Sequence, residues 1–231
     1  MKIPLSKRLR LCCEYITPGD RVADVGTDHG YLGLWLLQQG IAKSIIASDI
    51  VPGPLSAAKS NAVKYGFEEQ MSFYLSDGVK NIPRDFDTLV CAGMGGDTMI
   101  SILEHGRWLQ DARYKLVLQC QSKTPMLRRY LSEQGYRILR EDLVRDGKFI
   151  YSAMEVRYEP GEVLTPGQCY FPPALLASNS ELLGEYCGRL LAGLREAAKH
   201  RQDPELMKVL EELDNDPQFA KIKEADHGNC Q

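Results

Sequence analysis

R-V-A-D-V-G-T-D-H-G-Y, residues 21–31, reads as a strand that stops at a glycine and turns into a helix. Val22, Ala23 and Val25 are apolar and in part β-branched, as a strand covered on both faces of a sheet requires. Asp24 breaks that run just ahead of Gly26, so a carboxylate arrives at the carboxyl end of the strand. In open α/β sheets ligands sit beyond that end, and a residue without a Cβ lets the backbone approach them closely.

The residues around the turn discriminate between ligands. A dinucleotide site calls for G-x-G-x-x-G with a pyrophosphate on the helix N-terminus. Here Asp24, Asp28 and His29 crowd a single Gly26, with Thr27 between them. Carboxylates repel a phosphate and suit a ligand bearing an ammonium, a sulfonium and ribose hydroxyls. That is the chemistry of S-adenosylmethionine (SAM) and of its product S-adenosylhomocysteine. S-I-I-A-S-D, residues 44–49, is an apolar strand ending in Asp49 about twenty residues on, where a ribose diol is held, with Ile50 beside it. Taken singly, Asp28 as a helix cap or Asp49 as a solvated acid is an adequate account; the whole pattern favours the cofactor.

Composition is that of an ordinary globular protein, and 231 residues suffice for one good-sized core or a domain with an appendage. A net charge of -3 excludes a uniformly basic nucleic-acid binder but leaves room for a local basic patch. No stretch approaches the ~20 continuous apolar residues of a membrane span. The basic start lacks the apolar core of a secretory signal. Neither a membrane nor DNA is therefore expected as a partner, and the expected compartment is the cytoplasm. Seven cysteines, odd in number and without C-x-x-C spacing, read as reduced thiols, with no zinc or other metal expected.

Leu5, Leu9, Cys12, Cys13 and Ile16 give residues 3–16 helical spacing, with Lys7, Arg8 and Arg10 on the other face as candidates for phosphate contact. Residues 32–39 read as a helix closed near Gly40, and residues 55–65 as a helix closed by Gly66. Residues 71–75 read as a strand leading to Asp77 and Gly78, where the carboxylate could read an adenine amino group, although Asp-Gly is also a common turn. Residues 86–91 form a strand running into A-G-M-G-G-D. Its glycines strip side chains from where methyl donor and acceptor would meet, so Ala92, Gly93, Met94 and Gly95 are candidates for the floor of the site.

A helix over 97–105, a strand over 114–119, a helix over 125–134 and a hairpin of strands 136–144 and 149–158, turned by Asp146 and Gly147, complete a domain of residues 1–159. Strands alternating with helices, then an antiparallel hairpin, give a Rossmann-like α/β fold with a seven-stranded sheet, the architecture of class I SAM-dependent methyltransferases. Residues 160–173, rich in proline, read as a linker. Apolar stripes over 174–201 and again after Asp203 and Pro204 predict a C-terminal antiparallel two-helix coiled-coil hairpin within residues 174–231. The first helix would span ~40 Å at 1.5 Å per residue. A monomer is expected, with the helical hairpin as the route to a dimer.

D-V-G-T-D-H-G-Y-L at residues 24–32, S-D-G at 76–78, A-G-M-G-G at 92–96 and L-S-K-R-L at 5–9 together resemble the TrmK-type bacterial tRNA (adenine-22-N1)-methyltransferase family over almost the whole chain. The resemblance implies methyl transfer from SAM to N1 of an adenosine in the D-loop region of tRNA. It implies Asp24, Gly26, Asp28, His29 and Tyr31 around the cofactor and active-site crevice, Asp49 on the ribose, Asp77 and Gly78 on the adenine, and residues 93–96 beneath methionine and target base. The chain departs from the family pattern at Gly30 and Gly33, where alanine and proline are expected at what read as helix positions.

SAM carries its own electrophile, so the protein's work is to align N1, methyl carbon and sulfur and to exclude water. N1 lies on the pairing edge, so the adenosine must be unpaired to enter a pocket. The methylated base is cationic. Asp28 is the first candidate to stabilise that charge, His29 to orient the base or accept a proton, and Tyr31 to stack on it. That Asp28 only caps the next helix and His29 is only packed stands as an open alternative. No N-P-P-Y motif of enzymes acting on exocyclic adenine nitrogens follows the fourth strand, which favours ring-nitrogen chemistry. Lys7, Arg8 and Arg10, with Lys123, Arg128, Arg129, Arg137 and Arg140, are the expected phosphate contacts. The rival readings are a methyltransferase of small molecules or proteins, and a SAM-binding regulator that transfers nothing.

Overall fold

The computed structural model describes residues 2–200, 203–217 and 219. In chain order they form α1 (Lys7–Cys13), β1 (Arg21–Val25), α2 (Tyr31–Gln38), β2 (Ser44–Asp49), α3 (Pro52–Tyr65), β3 (Met71–Leu75), β4 (Thr88–Gly95) and α4 (Gly96–His105). There follow β5 (Lys115–Ser122), α5 (Thr124–Glu133), β6 (Tyr136–Asp146), β7 (Phe149–Tyr158), α6 (Pro166–Tyr170), α7 (Pro173–Leu176), α8 (Leu183–His200) and α9 (Pro204–Asn215).

The strands make one seven-stranded sheet in the order β3-β2-β1-β4-β5-β7-β6. The first five in sequence are parallel, and β7 inserts antiparallel between β5 and β6. The period-two alternation of a strand sends consecutive residues to opposite faces. Leu89 and Leu116 accordingly join one buried cluster with Met99 of α4, while Val90 and Val117 join the other with Leu34 and Leu36 of α2. Covered on both sides, these strands read as continuous apolar runs. Strand order reverses between β1 and β4, the point at which such sheets open a crevice at their carboxyl ends.

Several boundaries differ from the sequence expectation. The first helix is confined to Lys7–Cys13 because Ser6 caps it, its hydroxyl accepting from the Leu9 N–H. β4 runs on to Gly95 in place of ending at residue 91, since the glycine segment keeps pairing with β5 through register shifts around Met94. The hairpin turn is made by Gly147, at φ +61°, and Lys148, because Asp146 still pairs with Phe149. Gly30 is the left-handed cap ahead of α2, at φ +74°, and so not a helix position. Gly33 does lie inside α2, where an added Cβ would come within 2.8 Å of Ile45 Cγ2, so helix and strand pack there at their closest.

Residues 160–173 are more than a linker, because they contain α6, held by a capping box between Thr165 and Gln168. The helix expected over 174–201 is broken into α7 and α8 at Ser178, Asn179 and Ser180. Small polar side chains offer the backbone competing partners; Ser180 Oγ takes the Leu182 N–H at 3.3 Å. α8 is thus about 27 Å long. α8 and α9 are joined by the Arg195–Asp214 ion pair at 2.8 Å. α9 also grips α6, Glu212 Oε2 accepting the Gly167 N–H at 2.9 Å. Phe171, Leu191, Val209 and Leu213 form a separate apolar cluster there.

The cysteines at 12, 13, 91, 120 and 169 are free and buried, Cys187 is buried in the C-terminal cluster, and burial pushes the Cys12 thiol up to about 12, as expected of packing residues. Cys230 lies outside the described residues. Among the described residues no group of His, Cys, Asp and Glu has a metal-binding arrangement, and no helix is long and apolar enough to cross a membrane.

Candidate active site

The carboxyl ends of β1, β2 and β3 each carry an acid at a turn. After β1 the chain reverses at Gly26, φ +76°, whose N–H, with that of Thr27, donates to the Ser48 carbonyl at 2.8 and 2.9 Å. An added Cβ at Gly26 would fall 2.2 Å from Met94 Cε, so the β1 turn and the β4 glycine segment meet face to face. Asp24 lies beneath that turn, 4% exposed, and accepts the Thr27 hydroxyl at 2.7 Å. Desolvation raises its carboxyl to about 6, the Thr27 hydrogen bond pulls it partly back, and the nearby charges of Asp49 and Asp28 add to the rise. Asp24 is therefore a support of the turn more than a lining of the crevice.

Asp28 and His29 stand at the surface of the same turn. Asp28 has a left-handed backbone, φ +53°, rare outside glycine and best tolerated by Asn and Asp. Its side chain is 73% exposed and lies 3.5 Å from His29 Nε2, while its N–H donates to Asp49 Oδ2 at 3.3 Å. The His29 ring sits 5.9 Å from that of Tyr31, and the Asn61 side-chain amide holds the His29 carbonyl at 3.0 Å. Asp28 makes no side-chain cap on α2, whose N-cap is Gly30 without a side-chain hydrogen bond. The helix-capping alternative for Asp28 is thereby removed.

Asp49 uses Oδ1 to accept the Val51 N–H at 2.9 Å, and Ile50 beside it is 62% exposed. At the end of β3 the Asp77 carboxylate is paired with Lys80 at 2.5 Å, which lowers its pKa. Gly78, at φ +58°, leaves no room for a Cβ against Ile102. Across the crevice the Gly93 N–H donates to Gln119 Oε1 at 3.1 Å, and Gly96 lies so near the Lys123 carbonyl that a Cβ would come to 2.7 Å. The structure therefore brings Gly26, Asp28, His29, Asp49 and Met94 to one place.

The expected phosphate contacts divide. Lys7 and Arg10 are exposed on α1. Arg8 turns inward, its Nη1 donating to Gln119 Oε1 at 2.5 Å beside Gly93. Arg128 is corrected outright: its side chain is fully buried against Glu141 at 2.5 Å, because Glu141 and two backbone carbonyls together replace its water. Lys123, Arg129, Arg137 and Arg140 are each paired with an acid, respectively Asp97, Glu205, Glu159 and Asp142. Gln119 was not among the residues singled out in the sequence. The signal for it was a lone amide interrupting the apolar run of β5 opposite the glycine segment.

Residues 5–154 match the methyltransferase domain family. The chain is 34% identical over 149 residues to the tRNA (adenine(22)-N(1))-methyltransferase of Bacillus subtilis (strain 168), covering 64% of this chain and 63% of that protein, just under two thirds of its length. It is 32% identical over 198 residues to a Mycoplasma pneumoniae protein provisionally described as a tRNA methyltransferase, covering 82% of this chain and 90% of that one. A Streptococcus pneumoniae protein provisionally described as a tRNA (m1A22) methyltransferase, solved in complex with S-adenosyl-L-methionine, aligns with a TM-score of 0.80 at 28% identity, over 97% of this chain and 100% of that one.

Proposed function

We infer the activity from the family to which the chain belongs, the TrmK-type tRNA (adenine-22-N1)-methyltransferases of the class I SAM-dependent fold: the protein transfers a methyl group from SAM to N1 of adenosine 22 in tRNA. The observation that carries this reading is the meeting of acid-bearing strand ends with a glycine segment, where Gly26 faces Met94 and the Asp28 N–H reaches Asp49. Carboxylates around a side-chain-free backbone suit a cationic, ribose-bearing ligand and offer no cradle for a pyrophosphate.

When bound, SAM supplies the electrophilic methyl carbon. Asp49 holds the ribose hydroxyls, Asp77 and Gly78 face the adenine, and the backbone of Ala92, Gly93, Met94 and Gly95 forms the floor that admits donor and acceptor together. Asp28 stabilises the positive charge that develops on the methylated ring, and His29 orients the base or takes its proton. Tyr31 offers its ring to the base. Lys7 and Arg10, exposed on α1, meet backbone phosphates, and affinity for tRNA falls steeply with salt. The protein works as a cytoplasmic monomer, with residues 1–159 carrying the chemistry and the helices after residue 174 forming the appendage.

Incubation with labelled SAM and unmodified tRNA, followed by nucleoside analysis, tests the reading. Label in 1-methyladenosine is the expected result. Label confined to protein or small molecules, or none transferred, overturns it.

A further inference from the structure

We propose that the tip of the β6–β7 hairpin is a stacking platform for an unpaired nucleotide next to the target adenosine. The proposal deepens the tRNA reading and rests on it. β5 is parallel to β4 and antiparallel to β7, with Leu118 opposite Met154. The residues of β7 before Met154 therefore lie toward the carboxyl ends of β4 and β5, and the hairpin tip projects past them on the crevice side.

At that tip Phe149 is 55% exposed. Its ring lies 6.1 Å from that of Tyr151, two residues along on the same face. Two cations attend the pair: Lys148 Nζ sits 5.3 Å from the Phe149 ring centre, and the Arg8 guanidinium lies 5.9 Å from that of Tyr151. Arg8 is also the group that touches Gln119 and borders Gly93, so one side chain joins the aromatic pair to the floor of the site. The acid at the turn, Asp146, is drawn back onto the Arg8 backbone N–H at 3.2 Å. The hairpin is also tied to α8, through the ion pair of Arg145 and Glu185.

Exposed rings flanked by cations are what single-stranded nucleic acid uses, each base offering a π-face and each phosphate a charge. A base-paired duplex offers neither an accessible ring face nor a splayed backbone. An adenosine that enters the site must leave its stack, and a neighbour that stacks on Phe149 offsets part of that loss.

The test compares equilibrium binding of an unmodified tRNA transcript and of a fully paired RNA duplex by wild type, Phe149→Ala and Phe149→Trp, with SAM affinity as the check on folding. Phe149→Ala is expected to weaken tRNA binding on the order of 10-fold, to leave the duplex and SAM unaffected, and to keep the salt slope unchanged. Phe149→Trp restores tRNA binding. Equal tRNA affinity for wild type and Phe149→Ala, or equal weakening toward tRNA and duplex, overturns the platform. A wild type that forms 1-methyladenosine while Phe149→Ala binds tRNA undiminished removes the platform alone. A wild type that binds tRNA but forms no 1-methyladenosine removes the reading on which it rests.

Discussion

Arg128 of α5 and Glu141 of β6 meet at 2.5 Å with neither side chain exposed. The same guanidinium donates to the carbonyls of Cys169 and Tyr170 at 3.0 and 2.7 Å, so it fastens the α6 segment to the sheet. Removing one member leaves the other charge buried and unpaired, which is strongly unfavourable, whereas replacing both with apolar residues of like volume is nearly neutral. Arg128→Ala should lower stability by about 3–5 kcal/mol in urea unfolding, and Arg128→Met with Glu141→Leu should recover most of that. A single variant as stable as wild type would show that the pair is not what holds α6.

Asp24 sets a pH dependence. Its folded-state pKa of about 6 lies above the ordinary 3.8, so the native state holds the proton more tightly than the unfolded chain. Stability should therefore fall as pH rises from about 4 to about 6 and level off above that, by roughly 3 kcal/mol at 1.36 kcal/mol per unit. Asp24→Asn can still accept the Thr27 hydroxyl, and it should lose this slope and exceed wild type above pH 6. Urea unfolding between pH 4 and 7 reads both curves; parallel curves would refute the assignment.

Gly26 and Gly40 make a controlled pair. Both have positive φ, +76° and +66°, but an added Cβ meets Met94 at Gly26 and nothing within 4 Å at Gly40. Either alanine variant should cost about 1–2 kcal/mol of backbone strain. Only Gly26→Ala should also push Met94 aside and weaken SAM binding measured by calorimetry. Equal SAM affinity in the two variants would mean that this turn does not face the cofactor.

Asp28→Asn keeps a side chain that tolerates φ +53° and removes only the charge. Methyl transfer to tRNA should slow roughly 10-fold, less than for a fully enclosed carboxylate because the side chain is 73% exposed and water screens it. SAM affinity should change little. Single-turnover rates equal to wild type, with cofactor binding intact, would remove Asp28 from the chemistry.

What could be read along the chain was whatever depends on near neighbours. The strand over residues 71–75 and the Gly66 cap of α3 match expectation residue for residue, because a short apolar run and a glycine at a helix end each leave a local mark. The break between α7 and α8 was legible in principle, since Ser178, Asn179 and Ser180 sit together, but the apolar stripe on either side masked it. β4 ran past its expected end because pairing with β5 carries glycines along that carry no strand signal of their own.

By itself the sequence determined the order of strands and helices, the acids at three strand ends and the glycines opposite them, since each follows from spacing within a few residues. Only the tertiary structure decided which cations face water. Arg8 finds Gln119 from 111 residues away, and Arg128 finds the carbonyls of Cys169 and Tyr170 from 41 and 42 away. A charge stays in solvent unless a partner replaces its hydration, and folding alone determines whether a distant partner stands close enough to do so.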